Sequence, residues 1–483
     1  MPQQITIVGL GPGDPRYLTN EANTVLAEAR EIYLRTRQHP IVAALPGRAT
    51  LHSFDALYDS AESFDSLYRA IADQILALGA RPEGVIYAVP GHPLVGETTV
   101  QLILAAAAQQ GIPVRLVDGL SFVEPTLSAL RLEALRGLQL ADALDVAGQH
   151  SPLLDPDRPA LLGQLYSRDV AGDVKLTLLN VYPPEHQVIL VRAAGTPQEE
   201  LRNIPLEDLD RGQVDHLTSL YIPPLPKSGS LISFQELIAH LRGPLGCPWD
   251  REQTHQSLRP HLLEETYEVL AALDLDDMEE LKEELGDLLL QIALHTQIAT
   301  ECGEFTMSDV VSHISEKLRR RHPHVFGEVA VEGTSDILRN WEEIKRAEKG
   351  TRRMASTFEG VSAALPALAR AQAVSERGAR IGFDWPNIES AWQKAEEELA
   401  ELRAASGPDE RNHELGDVLL ALVNLAHWLH VDAESALREA TARYIARVEA
   451  VEEEAVASGR EPQELTPSEL DALWQRAKGR VNR

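Results

Sequence analysis

Glu264-Glu265-Thr-Tyr-Glu268, followed sixteen residues later by Glu284-Leu-Gly-Asp287, is the stretch that decides the fold of the C-terminal half of this chain. If both segments are helical, Glu265/Glu268 and Glu284/Asp287 are each spaced i,i+3, so each helix presents two carboxylates on one face. Four carboxylates that meet across two helices repel one another unless a divalent ion such as Mg2+ neutralises them. The pattern predicts a metal-dependent hydrolase of phosphoanhydrides.

Composition limits the classes of protein to consider. The chain has 483 residues, more than the roughly 250–300 at which one hydrophobic core stops growing, so several domains are expected. A net charge of −29 argues against binding to nucleic acid polymers or to a membrane surface, because no broad basic face is available. Two cysteines and no signal-peptide pattern or long apolar run indicate a cytoplasmic protein.

The first 222 residues alternate between strand and helix patterns. Ile5–Val8 reads as a buried strand that runs into a glycine-rich turn and then a helix over 20–29, with Thr19 as its N-cap. Further strands are predicted at 84–89, 113–117, 175–182 and 187–191. This alternation predicts a parallel sheet with crossover helices, and the loops at the carboxyl ends of its strands are where such sheets bind ligands.

Three of these loops carry a family resemblance. Gly9-x-Gly11-Pro-Gly13-Asp14, Pro90-Gly91-His92-Pro93 and Asp118-Gly-Leu-Ser121 resemble the tetrapyrrole (corrin/porphyrin) methylase family. The resemblance implies two α/β subdomains, about 1–117 and 118–222, with S-adenosylmethionine in the cleft between them. The chain has His92 where the family usually has Asp, and Phe122 where it has a second Ser. The implied cofactor-binding residues are Gly9, Gly11, Gly13, Asp14, Pro90, Gly91, His92 and Ser121.

The strand patterns end at a Pro-rich and then Gly/Ser-rich segment, 223–230, which we interpret as a linker. Everything after it has a helical period. The apolar side chains of the 281–295 helix form one stripe, which we expect to face the core, with Glu284 and Asp287 at its border. The stripe comprises Leu281, Leu285, Leu288, Leu289 and Ile292.

The acidic pattern then recurs. Glu397-Glu398-Leu-Ala-Glu401 and His413-Glu414-Leu-Gly-Asp417 repeat the two acidic segments in the same order. Basic and aromatic residues recur downstream in the same order: Lys317/Arg321 and Trp341-x-x-x-Lys345 in the first repeat, Arg443/Arg447 and Trp474-x-x-x-Lys478 in the second. A single charge run is usually a solvated helix face, but an ordered repetition favours two copies of one functional unit.

This arrangement resembles the MazG family of nucleoside triphosphate pyrophosphohydrolases, and Gly246-Cys-Pro-Trp-Asp250 and Arg320-Arg-His-Pro-His-Val-Phe326 extend the likeness. The resemblance implies two all-α domains, over 231–350 and 355–483 with a linker at 351–354, and Mg2+-dependent release of pyrophosphate from nucleoside triphosphates. The implied metal ligands are Glu265, Glu268, Glu284 and Asp287 in the first repeat and Glu398, Glu401, Glu414 and Asp417 in the second.

The remaining charged residues receive candidate roles from the reaction. Stabilising a leaving pyrophosphate needs cations, and the candidates are Lys317, Arg321, Lys345, Lys394, Arg443, Arg447 and Lys478. Glu264 or Glu397, or any of the ligands, is a candidate to orient or deprotonate the attacking water. The repeats differ, since Glu283 precedes the second motif in one and His413 in the other, and either repeat is a candidate for the more active one.

Two other functions stay open. The chain is alternatively an S-adenosylmethionine-dependent methyltransferase with a regulatory helical half, or its helical half is an interaction module with acidic surfaces. We expect a homodimer, although the two repeats could instead pack on each other within one chain. We also expect nucleoside triphosphates as partners and a role in cleaning the nucleotide pool.

Overall fold

The computed structural model describes residues 3–58, 63–327, 329–331, 333–334, 336–337, 340–341, 344, 357–358 and 360–481. The chain divides into two compact units, Met1–Cys247 and Pro248–Arg483, called the first and second unit below. The first unit contains the strands and the second unit is helical. In the described part of the chain, no helix is both long enough and apolar enough to cross a membrane.

The first unit contains two five-stranded sheets and the helices that connect and flank their strands. The strands are β1 (Ile5–Gly9), β2 (Glu31–Leu34), β3 (Thr50–Ser53), β4 (Val85–Val89), β5 (Val114–Val117), β6 (Gln139–Asp142), β7 (Ala160–Gly163), β8 (Gln187–Arg192), β9 (Glu200–Pro205) and β10 (Thr218–Ile222). The helices are α1 (Asn20–Glu28), α2 (Asp55–Tyr58), α3 (Phe64–Gly79), α4 (Thr98–Gln110), α5 (Val123–Leu130), α6 (Ala143–Ala147), α7 (Arg168–Leu178) and α8 (Leu231–Arg242).

The first sheet is parallel throughout, in the order β3-β2-β4-β1-β5. Its central strands β1 and β4 are buried along their whole length, as expected for a parallel sheet covered on both faces. Ile5 and Ile7 pack into one core, and Val8 packs into another on the opposite face. The predicted strand, the following helix and the Thr19 cap, whose hydroxyl accepts from the Ala22 amide, are confirmed.

The second sheet is mixed, in the order β6-β7-β10-β8-β9, and only its β6–β7 pair is parallel. The prediction of a strand over 175–182 is wrong, because most of this segment belongs to helix α7. Its buried residues Val170, Val174 and Leu178 recur every four positions, which is a helical period, and Ser167 caps the helix through the Val170 amide.

A buried ion pair connects the end of β2 to the start of α4. Arg35 Nη1 lies 3.0 Å from Glu97 Oε1, and only 3% of the Glu97 side chain is exposed. Burial raises the pKa of Glu97 to about 7, although the Arg35 charge acts to lower it. Substituting only one partner of such a buried ion pair lowers the free energy of unfolding strongly, because the other partner is left charged and buried.

The segment after β10 is held against the first unit. The Asp157 carboxylate accepts from the Ser228 hydroxyl and from the Gly229 and Ser230 amides. Although burial alone would raise it, these bonds lower the pKa of Asp157 to about 2. The residues interpreted as a linker are therefore bonded to the preceding domain over 228–230, and α8 begins directly after them.

The described helices of the second unit are α9 (Pro248–Glu252), α10 (Arg259–Leu275), α11 (Met278–Glu301), α12 (Met307–Arg321), α13 (Pro323–Phe326), α14 (Ala367–Ala379), α15 (Ile388–Ala404), α16 (Pro408–Trp428), α17 (Ala433–Ala457) and α18 (Pro467–Val481). Two helical hairpins, α10–α11 and α15–α16, form its two repeats. In the first hairpin Asp276 adopts a left-handed conformation that ends α10, and Asp277 caps α11.

The predicted core stripe of α11 is only partly covered, since Leu281, Leu288 and Leu289 are half-buried. Leu285 is 49% exposed and Ile292 is 43% exposed, whereas Glu284 is only 9% exposed. The prediction was therefore wrong for Leu285 and Ile292, because an apolar stripe does not by itself determine which side of a helix is covered. Side chains such as Ala293 and Leu294, together with polar Gln291, are buried instead.

Candidate metal and nucleotide site

Three carboxylates of the first repeat meet across the α10–α11 hairpin. Glu265 and Glu268 lie one turn apart on α10, and Glu284 lies on α11. One oxygen from each lies within 4.8 Å of the others, and we call these three residues the first cluster. The predicted i,i+3 geometry and the meeting of two helices are therefore present in the structure.

The first cluster is electrostatically strained without a cation. Burial raises the pKa of Glu284, and the negative charges of Glu268, Glu280, Asp287 and Glu265 raise it further. The pKa of Glu265 is raised by the same causes, burial first and then the neighbouring carboxylates. Carboxylates that disfavour one another's charge in this way fit a hard divalent ion, which takes oxygen ligands.

Two further acidic residues of the first repeat stand beside this cluster. Asp287 is near enough to raise the pKa of both Glu265 and Glu284, but it is not among the three whose oxygens converge. Glu264 is 63% exposed, and its carboxylate lies 3.6 Å from His261. Glu264 therefore borders the first cluster from the solvent side.

The second repeat builds the same arrangement on α15 and α16. Glu398 and Glu401 lie on α15 and Glu414 lies on α16, again with one oxygen from each within 4.8 Å of the others. We call these three residues the second cluster. Glu398 is 8% exposed, as Glu284 is 9% exposed in the first cluster, so each cluster has one buried carboxylate, although it lies on the other helix of the hairpin.

Basic side chains distinguish the second cluster from the first. Lys394 Nζ lies 2.8 Å from Glu398 Oε1 and 3.0 Å from Glu397 Oε1. His413 Nδ1 lies 2.9 Å from Asp417 Oδ2. The Lys394 ammonium thus compensates part of the negative charge of the second cluster.

The basic and aromatic residues of the second repeat assemble on α17 and α18. The Arg447 guanidinium lies 5.8 Å and the Lys478 Nζ 5.9 Å from the centre of the Trp474 ring, which also contacts Tyr444. Arg443 pairs with Glu439 on its own helix at 3.3 Å. The structure thus gathers Arg447, Trp474 and Lys478, and in its described part no ion pair joins Lys478 to the second cluster.

The corresponding residues of the first repeat are less fully described. Lys317 and Arg321 lie one turn apart on α12, and both are half-buried. Trp341 lies edge-on to His322, with 5.1 Å between the ring centres. Lys345, the predicted counterpart of Lys478, lies outside the described residues.

The three glycine-rich loops of the first unit touch one another at the carboxyl ends of β1, β4 and β5. Gly11 and Gly91 exchange two backbone hydrogen bonds, and both have positive φ, which favours glycine. A Cβ on Gly9 would lie 2.6 Å from the Gly91 oxygen and 2.7 Å from the Gly119 nitrogen. These contacts leave no room for a side chain at Gly9, so the loops meet through their backbones.

The other predicted cofactor-binding residues of the first unit have structural partners. Asp14 pairs with Arg16 at 3.0 Å, and the hydrogen bond from Arg16 lowers the pKa of Asp14. Ser121 is buried and donates to Glu124 Oε2 at 2.7 Å. His92 Nδ1 accepts from the Leu94 amide, while its Nε2 lies 3.5 Å from Asp118. A Cβ on Gly13 would lie 3.1 Å from Pro40 Cγ, and Pro90 directly precedes Gly91, which bonds Gly11.

The sequence reasoning missed two residues at these loops. Gly119 packs against Gly9 and Gly91, and the Asp-Gly dipeptide after β5 was the available signal. His39 is 7% exposed and bonds the Gly11 backbone, while its buried Nδ1 has no partner among the described residues. Burial lowers the pKa of His39 to about 4, so it is neutral at pH 7. A single His before a Pro gives no signal of this position.

Comparison with known proteins finds a matching family model in each half of the chain. A family model described as the MazG nucleotide pyrophosphohydrolase domain matches residues 253–326, and one described as tetrapyrrole (corrin/porphyrin) methylases matches residues 4–210. Solved structures similar to the chain include the uroporphyrin-III-C-methyltransferase from Thermus thermophilus, with 26% identity, a TM-score of 0.36, and coverage of 46% of this chain and 91% of that one.

Relatives cover the chain in whole and in part. The Bacillus subtilis (strain 168) protein YabN is 40% identical over 488 residues, which span 99% of both chains. The nucleoside triphosphate pyrophosphohydrolase/pyrophosphatase MazG of Thermotoga maritima is 45% identical over 251 residues, 51% of this chain and 96% of its own length. The Escherichia coli (strain K12) nucleoside triphosphate pyrophosphohydrolase is 40% identical over 50% of this chain and 94% of its own. This chain, with its N-terminal tetrapyrrole methylase domain, belongs to the MazG family of nucleoside triphosphate pyrophosphohydrolases and is a hydrolase that acts on phosphoanhydrides.

Proposed function

We propose that this protein hydrolyses nucleoside triphosphates to nucleoside monophosphate and pyrophosphate in a reaction that requires Mg2+, as a means of cleaning the nucleotide pool. The observation that carries this proposal is the pair of carboxylate clusters, each built on two facing helices with its oxygens within 4.8 Å. Two independent helical hairpins have no structural need to repeat such an arrangement, because like charges held together destabilise a fold.

The residues of both clusters fit Mg2+. The ion takes oxygen ligands and, when bound, supplies positive charge that shields the triphosphate and the leaving pyrophosphate. The raised pKa values of Glu265 and Glu284, caused by burial and by the neighbouring carboxylates, support a site that a cation would stabilise. The proposed ligands are the members of each cluster together with Asp287 and Asp417.

The surrounding residues supply the remaining requirements of the reaction. Glu264 and Glu397 border their clusters on the solvent side, where each can accept a hydrogen bond from the attacking water and orient it. Lys394, Arg447 and Lys478 are proposed to bind phosphate oxygens in the second repeat, with Lys317, Arg321 and Lys345 in the first and Arg443 as a further candidate. Charge-assisted hydrogen bonds of this type stabilise the growing charge on pyrophosphate.

A second function is proposed for the first unit. The loops at Gly9, Gly91 and Gly119 meet through their backbones with no side chain between them, which fits a site where a cofactor lies close to the main chain, and the unpartnered Nδ1 of His39 lies beside the first of these loops. These features fit S-adenosylmethionine. A methyltransferase activity of this unit would coexist with the hydrolase activity of the second unit.

We also propose that the protein is a homodimer. The same apolar stripe lies exposed on both α11 and α16, where Leu285 and Leu415 are each 49% exposed. Farther along the same helices, Ile292 is 43% and Leu422 is 45% exposed. Covering such stripes with a second copy removes a large apolar area from water, at about 25 cal/mol per Å2.

The test of the proposed reaction is product identification. The purified full-length protein is incubated with each common NTP and dNTP, with Mg2+ or with EDTA, and products are resolved by 31P NMR. The expected products are nucleoside monophosphate and pyrophosphate, formed only with the divalent ion. Nucleoside diphosphate and phosphate, or no turnover with any nucleotide, would contradict the proposal.

A further inference from the structure

The second cluster adjoins a nitrogen donor, His413, at a position where the first repeat has Glu283. His413, Glu414 and Asp417 lie on one face of α16 and offer one ligand atom each, all within 4.8 Å of one another. His413 Nδ1 lies 2.9 Å from Asp417 Oδ2 and 3.8 Å from Glu414 Oε1. Glu414 belongs both to this group and to the second cluster.

These separations suit a bound metal ion. Two donors held at right angles about 2.1 Å from one ion are about 3 Å apart, and donors in a tetrahedral site are slightly farther apart. The distances from His413 Nδ1 to its two neighbours bracket this value. Small side-chain rotations would therefore bring all three atoms to an ion without moving the helix backbone.

At the position that matches His413, the first repeat has an oxygen ligand instead. Glu283 occupies the position of His413 and precedes Glu284 as His413 precedes Glu414. The two repeats therefore differ in donor chemistry at one matched position. In the second repeat the Lys394 ammonium pairs with Glu398 and would compete there with a metal ion. In the part of the chain that the structure describes, Lys394 does not pair with His413, Glu414 or Asp417, so these three residues are the more accessible ligands for a cation.

We propose that His413 is a metal ligand and that it gives the second repeat a preference for borderline divalent ions, Mn2+, Co2+ or Zn2+, whereas the first repeat prefers Mg2+. The proposal rests on the proposed function only in that both repeats bind divalent ions. Imidazole nitrogen suits these transition metals, while carboxylate oxygen alone suits Mg2+. One chain would thereby carry two phosphoanhydride sites with different metal requirements.

The direct test detects a nitrogen bound to the metal. Mn2+ is added to the full-length protein, and electron spin-echo envelope modulation is recorded for 14N coupling to the Mn2+ electron spin. We expect 14N modulation from wild type and its loss in His413→Gln, whose exposed position protects the fold, since the His413 side chain is 75% exposed. His150→Gln, an equal change at an exposed site in the first unit, should retain the modulation.

Exchanging the residues at positions 413 and 283 tests whether His413 is a metal ligand. One variant is read by its Mn2+ affinity and the other by the appearance of 14N modulation. In a Glu265→Gln/Glu284→Gln background, which disables the first cluster, His413→Glu should weaken Mn2+ binding at least about tenfold relative to Mg2+. Glu283→His, placed in a Glu398→Gln/Glu414→Gln background, should introduce 14N modulation into the first repeat.

The outcomes separate this proposal from the hydrolase proposal. If wild type shows no 14N modulation, or if His413→Gln keeps it, His413 and Asp417 form only a surface ion pair and the proposal is overturned. Modulation that depends on His413 supports the ligand assignment even if no nucleotide is hydrolysed. Pyrophosphate release without such modulation supports the hydrolase and removes the role of His413.

Discussion

Lys394 Nζ lies 2.8 Å from Glu398 Oε1, so the second carboxylate cluster contains its own counter-charge. Hydrogen bonds to Glu398 and then Glu397 raise the pKa of Lys394, which keeps it positively charged. The matched position in the first repeat is His261, which lies 3.6 Å from the exposed Glu264. Two clusters with the same carboxylates thus differ in electrostatic balance.

Removal of the Lys394 ammonium should therefore separate cation binding from turnover. In a Glu265→Gln background, Lys394→Met leaves Glu398 uncompensated, so we expect several-fold tighter Mg2+ binding by calorimetry. Pyrophosphate release should fall at least about tenfold, because a charge-assisted bond to phosphate is lost. The control is Lys282→Met, which removes a lysine that pairs with Glu279 on the surface of α11. Unchanged Mg2+ affinity in Lys394→Met would contradict the competition between lysine and metal.

Glu284 should destabilise the protein when no metal is bound. Burial and neighbouring carboxylates raise the pKa of Glu284, so its contribution to stability is present at low pH and is lost as the pH rises through that raised value. Glu284→Gln is expected to raise Tm by a few degrees at pH 7 in EDTA and to change it little at pH 4. Mg2+ should raise Tm more in wild type than in the variant, and an equal rise in both would count against Glu284 as a ligand.

The contact between the glycine-rich loops of the first unit should not tolerate a methyl group at Gly119. A Cβ on Gly119 would lie 2.4 Å from the Gly91 oxygen and 2.8 Å from Gly9. Gly119→Ala should therefore displace the Pro90–Pro93 loop and abolish calorimetric binding of S-adenosylmethionine. Gly148→Ala serves as the control, since its Cβ would meet nothing closer than 3.7 Å. Binding by Gly119→Ala with wild-type affinity would place the cofactor elsewhere.

The buried pair between Arg35 and Glu97 should show strong coupling. Glu97→Leu leaves Arg35 charged and buried, which we expect to cost about 3–5 kcal/mol in the free energy of unfolding. The double variant Arg35→Met/Glu97→Leu should recover most of that loss, because neither charge remains. Urea unfolding followed by circular dichroism measures both. Additive losses in the double variant would show that the two residues act independently.

Local pattern predicted much of the fold and the three carboxylates that meet in each cluster, whereas Asp287 and Asp417, also predicted as ligands, are not among the converging three. Ile5–Val8, the Thr19 cap and the paired acidic helices follow from periodicity and capping rules that act over a few residues. Leu285 and Ile292 were misplaced because a stripe of apolar residues does not say which neighbour covers it. The contacts of Lys394 with Glu397 and Glu398 depend on side-chain rotamers, which the sequence does not give. The bond between His39 and the Gly11 backbone joins two loops that are far apart in the sequence, so it was not predictable either.

The central claim is that the carboxylate clusters carry out the hydrolysis, and it is tested most directly by pyrophosphate release from wild type, Glu265→Gln, Glu398→Gln and the double variant. Each single change removes a proposed ligand from one cluster. We expect each to lower only the activity of its own repeat, and the double variant to lose at least about 100-fold, since metal stabilisation amounts to several kcal/mol. A double variant that releases pyrophosphate at the wild-type rate would contradict the account.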